Sequence, residues 1–280
     1  MNAEEISDTV RLALAEDIGR GDMTAALTPA DDSAVAAVTL KQDAVICGID
    51  WFEESFRQLD STISFEWNCK DGDGLTRDVE VCRVRGATRA ILTGERTALN
   101  FLQTLSATAT SARRFANAVE GTGTTILDTR KTIPGLRRAQ KYAVRCGGAS
   151  NHRIGLFDAI LIKENHIAAM GSIDAAIDGA RSVEDPMLVE VEVEDMNQLE
   201  RALESSADRL MLDEFPLELI RKAVALRNEI APTKELEASG RVSIENVRRI
   251  AETGVEFISV GAMTKNVEAV DYSLRVVDGV

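Results

Sequence analysis

Between Arg130 and Arg153 the chain reads RKTIPGLRRAQKYAVRCGGASNHR, which holds seven lysines and arginines and no aspartate or glutamate. Positive charge gathered beside Gly147-Gly148, around a helix expected to start after Pro134, suits an anionic ligand. Arginine forks carboxylates and phosphates, and helix N-termini add partial positive charge. Arg137, Arg138 and Lys141 read as the solvated face of that helix. Arg130, Lys131, His152 and Arg153 instead fall at a strand end and in a loop, where a helix face cannot account for them.

Carboxylates answer these cations further along. In VEVEVE, strand alternation puts Glu190, Glu192 and Glu194 on one face and Val189, Val191 and Val193 on the other. An exposed edge strand is the plain explanation, but lysine or arginine partners, or magnesium, inside a barrel fit better. Asp213 ends the next apolar run, and two carboxylates opposite a basic cluster suit a magnesium-bound polyphosphate. Ser239-Gly240-Arg241 and Val260-Gly261-Ala262 end the last two runs, where glycine lets backbone N–H groups approach a phosphate.

Other reactive residues offer less. With only two histidines, His152 and His166, and no ligand spacing, zinc is not expected. His152 gains a ligand role from its neighbours Asn151 and Arg153, whereas His166 reads as structural. Cys47, Cys69, Cys82 and Cys146 are scattered without metal spacing, read as reduced thiols and are assigned no chemistry.

These residues need a frame that gathers them. After Gly121, apolar β-runs alternate with helix-length amphipathic segments, ending near Asp128 (followed by Arg130 and Lys131), at Lys163, near Glu192, and at Asp213, Ser239 and Gly261. Such alternation implies parallel strands with right-handed crossovers, in an open doubly wound sheet or a closed barrel. In a barrel, the C-terminal strand ends would bring all six positions to one mouth.

Upstream, Ile6, Val10, Leu12, Leu14 and Ile18 predict an amphipathic helix stopped by Gly19-Arg20-Gly21-Asp22. Strands follow at 34–40, 63–67 and 79–84, the last two antiparallel around the turn 71–74, and then a connecting helix over 94–119. The expected domains are therefore 1–120 and 121–280, with the C-terminal tail a candidate to return to the first.

Composition narrows the function classes. The 280 residues are 45% hydrophobic and 28% charged, as in a globular protein. A formal net charge of −14 disfavours non-specific binding to nucleic acid or anionic membrane. Without a span-length apolar run or a signal-peptide core, the protein is expected in the cytoplasm.

The block LDTRKTIPGLRRAQKYAVRCGGASNHRIGLFDAILIKENH closely resembles the central signature of the quinolinate phosphoribosyltransferase family. EDIGRGDMT, GERTALNFLQ, VEVEVED, LMLDEF, LEASG and ISVGAMT resemble further blocks of that family, in order over nearly the whole chain. The resemblance implies a type II phosphoribosyltransferase of the α/β class, with an N-terminal open-faced α/β sandwich and an incomplete α/β barrel of parallel strands. It also implies a dimer or larger homo-oligomer. Quinolinate and phosphoribosyl pyrophosphate would be the substrates, with Mg2+, and nicotinate mononucleotide, pyrophosphate and carbon dioxide the products.

Carried over residue by residue, the resemblance gives Arg96, Arg130, His152, Arg153 and Lys163 to the pyridine dicarboxylate, with Arg96 reaching the neighbouring subunit. Lys131 and Lys163 would reach the phosphoribosyl donor, Glu192 and Asp213 would serve ribose and magnesium, and Ser239, Gly240 and Gly261 would take the 5-phosphate. Lys131, Lys163, Glu192 and Asp213 form the catalytic set. The chain departs from the family pattern at Glu164, where Asp is common, at Glu214, where Asn is frequent, and at Arg241, where Gly is frequent. A molybdenum-operon relative of the same fold, or a binder keeping only the phosphate pocket, are the rivals. The retained arginines and strand-end carboxylates disfavour both.

Overall fold

The computed structural model describes residues 2–183 and 187–279. In chain order the elements are α1 (Ala3–Ile18), β1 (Ser33–Leu40), β2 (Ala44–Val45), α2 (Ile49–Arg57), β3 (Ser64–Trp67), β4 (Gly74–Leu75), β5 (Val79–Ala87) and α3 (Thr88–Ala118). Then come β6 (Thr125–Leu127), α4 (Arg137–Cys146), β7 (Ile160–Ile162), α5 (Glu164–Met170), α6 (Ile173–Arg181), β8 (Val189–Val193) and α7 (Met196–Glu204). The chain continues through β9 (Arg209–Asp213), α8 (Leu217–Ile230), β10 (Glu235–Ser239), α9 (Val247–Ala251), β11 (Phe257–Ser259), α10 (Ala262–Lys265) and β12 (Tyr272–Gly279).

Two compact units emerge, and they interleave along the sequence instead of dividing once near residue 120. One comprises residues 1–113, 133–148 and 266–280, the other 114–132 and 149–265. Helix α3 runs through the first division, and α4 belongs to the first unit.

In the first unit an antiparallel sheet of order β12-β1-β5-β3 is backed by helices. Val38, Leu40, Val81 and Val84 pack with Phe52 and Phe56 of α2 and with Ile91, Leu99 and Leu102 of α3. Removing such side chains from water is worth roughly 1.5–3 kcal/mol each. Helix α1 lays Ile6, Val10 and Leu14 against Trp51, Phe101 and Leu105. Leu12, expected on this apolar face, is instead 64% exposed, because it falls off the i, i+4 stripe of the other three. Helix α3 starts six residues before the expected Gly94. That glycine sits inside the helix, where a Cβ would come within 2.6 Å of the Phe56 ring. It serves close packing, not helix termination. The strand β12 pairs antiparallel with β1 from Leu40↔Tyr272 to Ala34↔Gly279.

In the second unit six parallel strands lie in the order β6-β11-β10-β9-β8-β7. Each strand pairs with the next in sequence, and β11 closes back on β6, so only β6 and β7 remain unjoined. At that gap the single bridge Leu127↔Ser150 extends β6. Barrel closure is thus incomplete, as the family resemblance implies. Val189, Val191, Val193, Leu210, Leu212, Leu236 and Ile258, all buried, occupy one face of the strands. The alternate positions Glu190, Glu192, Arg209, Asp213, Glu237 and Ser239 occupy the other. Glu194 does not join them: β8 stops at Val193 and Glu194 is exposed. Lys141, expected on a solvated helix face, is buried at 2% exposure, although Arg138 of the same helix is exposed. Among the described residues, no helix is long and apolar enough to cross a membrane.

Candidate active site

The charged inner face of the barrel holds a buried network. Because β8 registers Glu190 opposite Arg209, and β9 registers Arg209 opposite Glu235, acids flank one arginine on both sides. The Arg209 guanidinium lies 2.9 Å from Glu235 and 3.6 Å from Glu237, and stacks 3.8 Å over the Phe257 ring. Glu190 and Glu237 are fully buried. Burial raises both carboxyls, Glu190 to about 7 and Glu237 to about 8, with Arg209 pulling in the opposite direction.

His152 enters this network from the segment between α4 and β7. The Asp128 carboxylate, itself buried, accepts the His152 backbone N–H at 2.9 Å and the Asn151 side-chain amide at 2.6 Å. The Arg153 backbone N–H donates to Nδ1 of His152 at 2.7 Å. A neutral ring with Nδ1 accepting carries its proton on Nε2, which donates to Oε2 of Glu190 at 2.8 Å. His152, Glu190 and Glu237 bring their ligand atoms within 4.8 Å of one another, with Nε2 here engaged by Glu190. The cluster reads as a hydrogen-bonded scaffold.

Above the scaffold lie the rim groups. Lys163, following β7 and capping α5, ion-pairs with Glu192, the lysine side chain being 41% exposed and the glutamate 9%. Arg153 is held below its ordinary range by burial and then by the charge of Arg130. Lys131 is exposed and runs past Gly261, where a Cβ would stand 3.1 Å from the Lys131 chain, and Thr264 Oγ1 donates to the Lys131 carbonyl at 2.8 Å. Asp213 and Ser239, register partners at the ends of β9 and β10, are half-buried. Gly240 follows at φ 126°, with a virtual Cβ only 3.1 Å from Glu214 Cα. Here a side chain would be both strained and crowded.

The predicted barrel residues occur at strand ends or in the loops that follow them, except His152 and Arg153, which lie between α4 and β7. Arg96 belongs to the other unit and is exposed on α3. His152, expected to meet the ligand directly, has both ring nitrogens engaged by protein groups. His166 Nδ1 accepts the Lys163 backbone N–H at 3.0 Å, fixing the start of α5. Sequence reasoning passed over Arg209 and Glu237. The signal was there, since ELEAS and RLMLD repeat the in–out alternation of VEVEV.

Sequence and structure comparisons meet this geometry. Family models described as the N- and C-terminal domains of quinolinate phosphoribosyl transferase match residues 22–106 and 108–275. The chain belongs to the quinolinate phosphoribosyltransferase family. Among its relatives, the nicotinate-nucleotide pyrophosphorylase [carboxylating] of Mycobacterium leprae is 40% identical over 274 residues, 95% of each chain. The probable nicotinate-nucleotide pyrophosphorylase [carboxylating] of Bacillus subtilis is 38% identical over 277 residues, 99% of this chain and 95% of that one. The solved nicotinate-nucleotide pyrophosphorylase from Francisella tularensis superposes with a TM-score of 0.94 at 43% identity, covering 99% of this chain and 97% of its own.

The departures from the quinolinate phosphoribosyltransferase pattern sit on the outer rim. Glu164 is exposed and accepts from the Asn165 amide at 2.7 Å. Arg241 and Glu214 pair with each other at 3.2 Å, with the arginine side chain 90% exposed. Beside them opens a cavity of about 330 Å³ lined by Phe215, Ser239, Arg241, Asn246 and Arg249.

Proposed function

We propose that this chain transfers the phosphoribosyl group of phosphoribosyl pyrophosphate to quinolinate with loss of carbon dioxide, giving nicotinate mononucleotide and pyrophosphate for de novo NAD biosynthesis. The observation that carries the reading is the Lys163–Glu192 ion pair at the ends of β7 and β8, on the same sheet whose strand β6 is followed by Arg130 and Lys131. A dicarboxylate needs cations, and a ribose gaining positive charge needs carboxylates.

Arg130 and Arg153, with Lys163, hold the two carboxylates of the acceptor. His152 positions Arg153 through its Nδ1. Lys131 and Lys163 hold the pyrophosphate end of the donor, and the turn Ser239-Gly240 with Gly261 receives the 5-phosphate on backbone N–H groups. As pyrophosphate departs, Glu192 and Asp213 face the oxocarbenium-like carbon, and the pyridine nitrogen attacks it. Loss of the adjacent carboxylate as carbon dioxide leaves its electron pair on the ring carbon next to the positive nitrogen, which stabilises it until that carbon takes up a proton from water.

The donor set also fits magnesium: Glu192 and Asp213 offer oxygen ligands on neighbouring strands, and this ion is held through one or two carboxylates together with substrate phosphates. When bound, it would neutralise charge on the pyrophosphate. The active form is a cytoplasmic homodimer or higher homo-oligomer in which Arg96 completes the acceptor pocket of the neighbouring subunit.

Carbon dioxide release from carboxyl-labelled quinolinate tests the reading. Release that requires phosphoribosyl pyrophosphate supports it, and release that is absent or independent of the donor overturns it.

A further inference from the structure

We propose that Cys47 and Cys146 form a peroxide-reactive dithiol that closes reversibly to a disulfide, a modification site separate from the phosphoribosyl chemistry. Both belong to the first unit. Cys47 directly precedes the cap of α2 and is buried, while Cys146 is the last residue of α4 and is half-buried. Their sulfurs and a carboxylate oxygen of Asp71 all lie within 4.8 Å of one another. Asp71 does not make this a metal site: one oxygen accepts the Tyr142 hydroxyl at 2.8 Å, and the other accepts the backbone N–H groups of Gly48 and Ile49 at 3.0 and 3.3 Å. Two facing thiols remain.

The backbones that carry them are anchored. Ser106 Oγ accepts the Cys47 N–H at 3.0 Å, and the Arg113 guanidinium donates to the carbonyls of Gly147 at 2.8 Å and of Cys146 at 3.2 Å. At Gly147 a Cβ would fall 2.4 Å from the Ala109 carbonyl oxygen, so the end of α4 lies hard against α3. Bond formation, which needs sulfurs about 2.0 Å apart, therefore falls to side-chain rotation.

The thiols are unequal. The Cys47 thiol, donating to Cys146, holds Cys146 below the usual thiol range, and burial pushes Cys47 up. Thiolate character and access make Cys146 the attacking sulfur and Cys47 the resolving one. The Cys146 thiolate attacks one peroxide oxygen and breaks the O–O bond, giving a sulfenic acid and a hydroxide that takes up the proton Cys146 gave up. The Cys47 sulfur then displaces hydroxide from the sulfenic sulfur, and that hydroxide leaves with the Cys47 proton as water. Two thiols and one peroxide become one disulfide and two waters. Cys69, pushed up to about 11 by burial, serves as an internal control.

The test is a peptide map of the full-length protein after equimolar hydrogen peroxide, alkylation and non-reducing digestion. A Cys47–Cys146 cross-link lighter by two hydrogens, reversed by dithiothreitol, with Cys69 and Cys82 alkylated, is the expected result. Cys47→Ser should leave a Cys146 sulfenic acid that dimedone traps, and Cys146→Ser should leave Cys47 unoxidised. Cys146 advancing to sulfinic acid beside an intact Cys47 thiol, cross-links through Cys69 or Cys82, or no oxidation at all, would each overturn the proposal. The wild-type map decides alone if either variant fails to fold.

Discussion

Nε2 of His152 lies 2.8 Å from Oε2 of Glu190, and Nδ1 of the same ring accepts the backbone N–H of Arg153. A buried carboxylate thereby sets the ring that sets an anion-binding arginine. Glu190→Ala removes the nearer acceptor of His152 Nε2 and leaves it only Glu237 Oε2, 3.5 Å away, a loss of about 1–3 kcal/mol, or roughly 5- to 150-fold in kcat/KM if it reaches the pocket undiminished. The Michaelis constant for quinolinate should rise more than that for phosphoribosyl pyrophosphate, and Glu190→Gln should recover part of the loss. Steady-state kinetics with each substrate varied will show whether the effect tracks the acceptor.

Lys131→Ala and Glu192→Gln should each remove most turnover while unfolding stays cooperative, since Lys131 is exposed in the loop after β6 and Glu192 stands near the end of β8. Thermal melts alongside activity assays make the check. Unchanged turnover in either variant would mean that the mouth of the barrel has been misassigned.

Nicotinate lacks the second carboxylate, so it should be a poor acceptor. Leaving one cation of the Arg130, Arg153 and Lys163 group unpaired costs on the order of a few kcal/mol. Comparable rates with nicotinate and quinolinate would remove the dicarboxylate assignment.

If Arg96 completes a neighbour's pocket, inactive Arg96→Ala and Lys131→Ala chains should complement when mixed and exchanged. Random pairing would restore roughly a quarter of the wild-type sites, because one site in each mixed dimer receives both intact residues. Mixed dimers verified by mass spectrometry, yet without activity, would place Arg96 within its own chain's site or outside it.

Stability should carry the mark of Glu190 and Glu237. A carboxyl raised on folding binds its proton more tightly in the native state, so its stabilising contribution is complete below the unfolded value of 4.5 and is lost as pH rises through about 7 and about 8. Melting temperature should therefore fall across that window in the wild type and fall less in Glu237→Gln. A pH-independent difference between the two would show that Glu237 stays ionised in the folded protein.

Much of this was legible because strand alternation is a local property. VEVEV fixes which side of β8 is charged, and the polar residue closing each apolar run locates the rim. Burial, however, belongs to the assembled fold. Nothing local separates Lys141, sealed at 2% exposure, from Arg138 three residues earlier, which lies exposed. Gly94 read as a boundary because its reason for being glycine, the Phe56 ring, is 38 residues away in sequence. The charges of Arg209 and Glu237 are common on surfaces, and only registry with Glu190 turns them into a buried network.

The pairing of β12 with β1 also bears on how the chain is made. Strand β1 leaves the ribosome early, but its partner on one side is synthesised only after every strand of the barrel. Until then one edge of β1 offers unpaired N–H and C=O groups over the whole stretch Ala34–Leu40. The first unit cannot finish folding as it emerges, whereas the barrel, whose strands pair with sequence neighbours, can assemble progressively. The half of the protein that begins first is thus completed last.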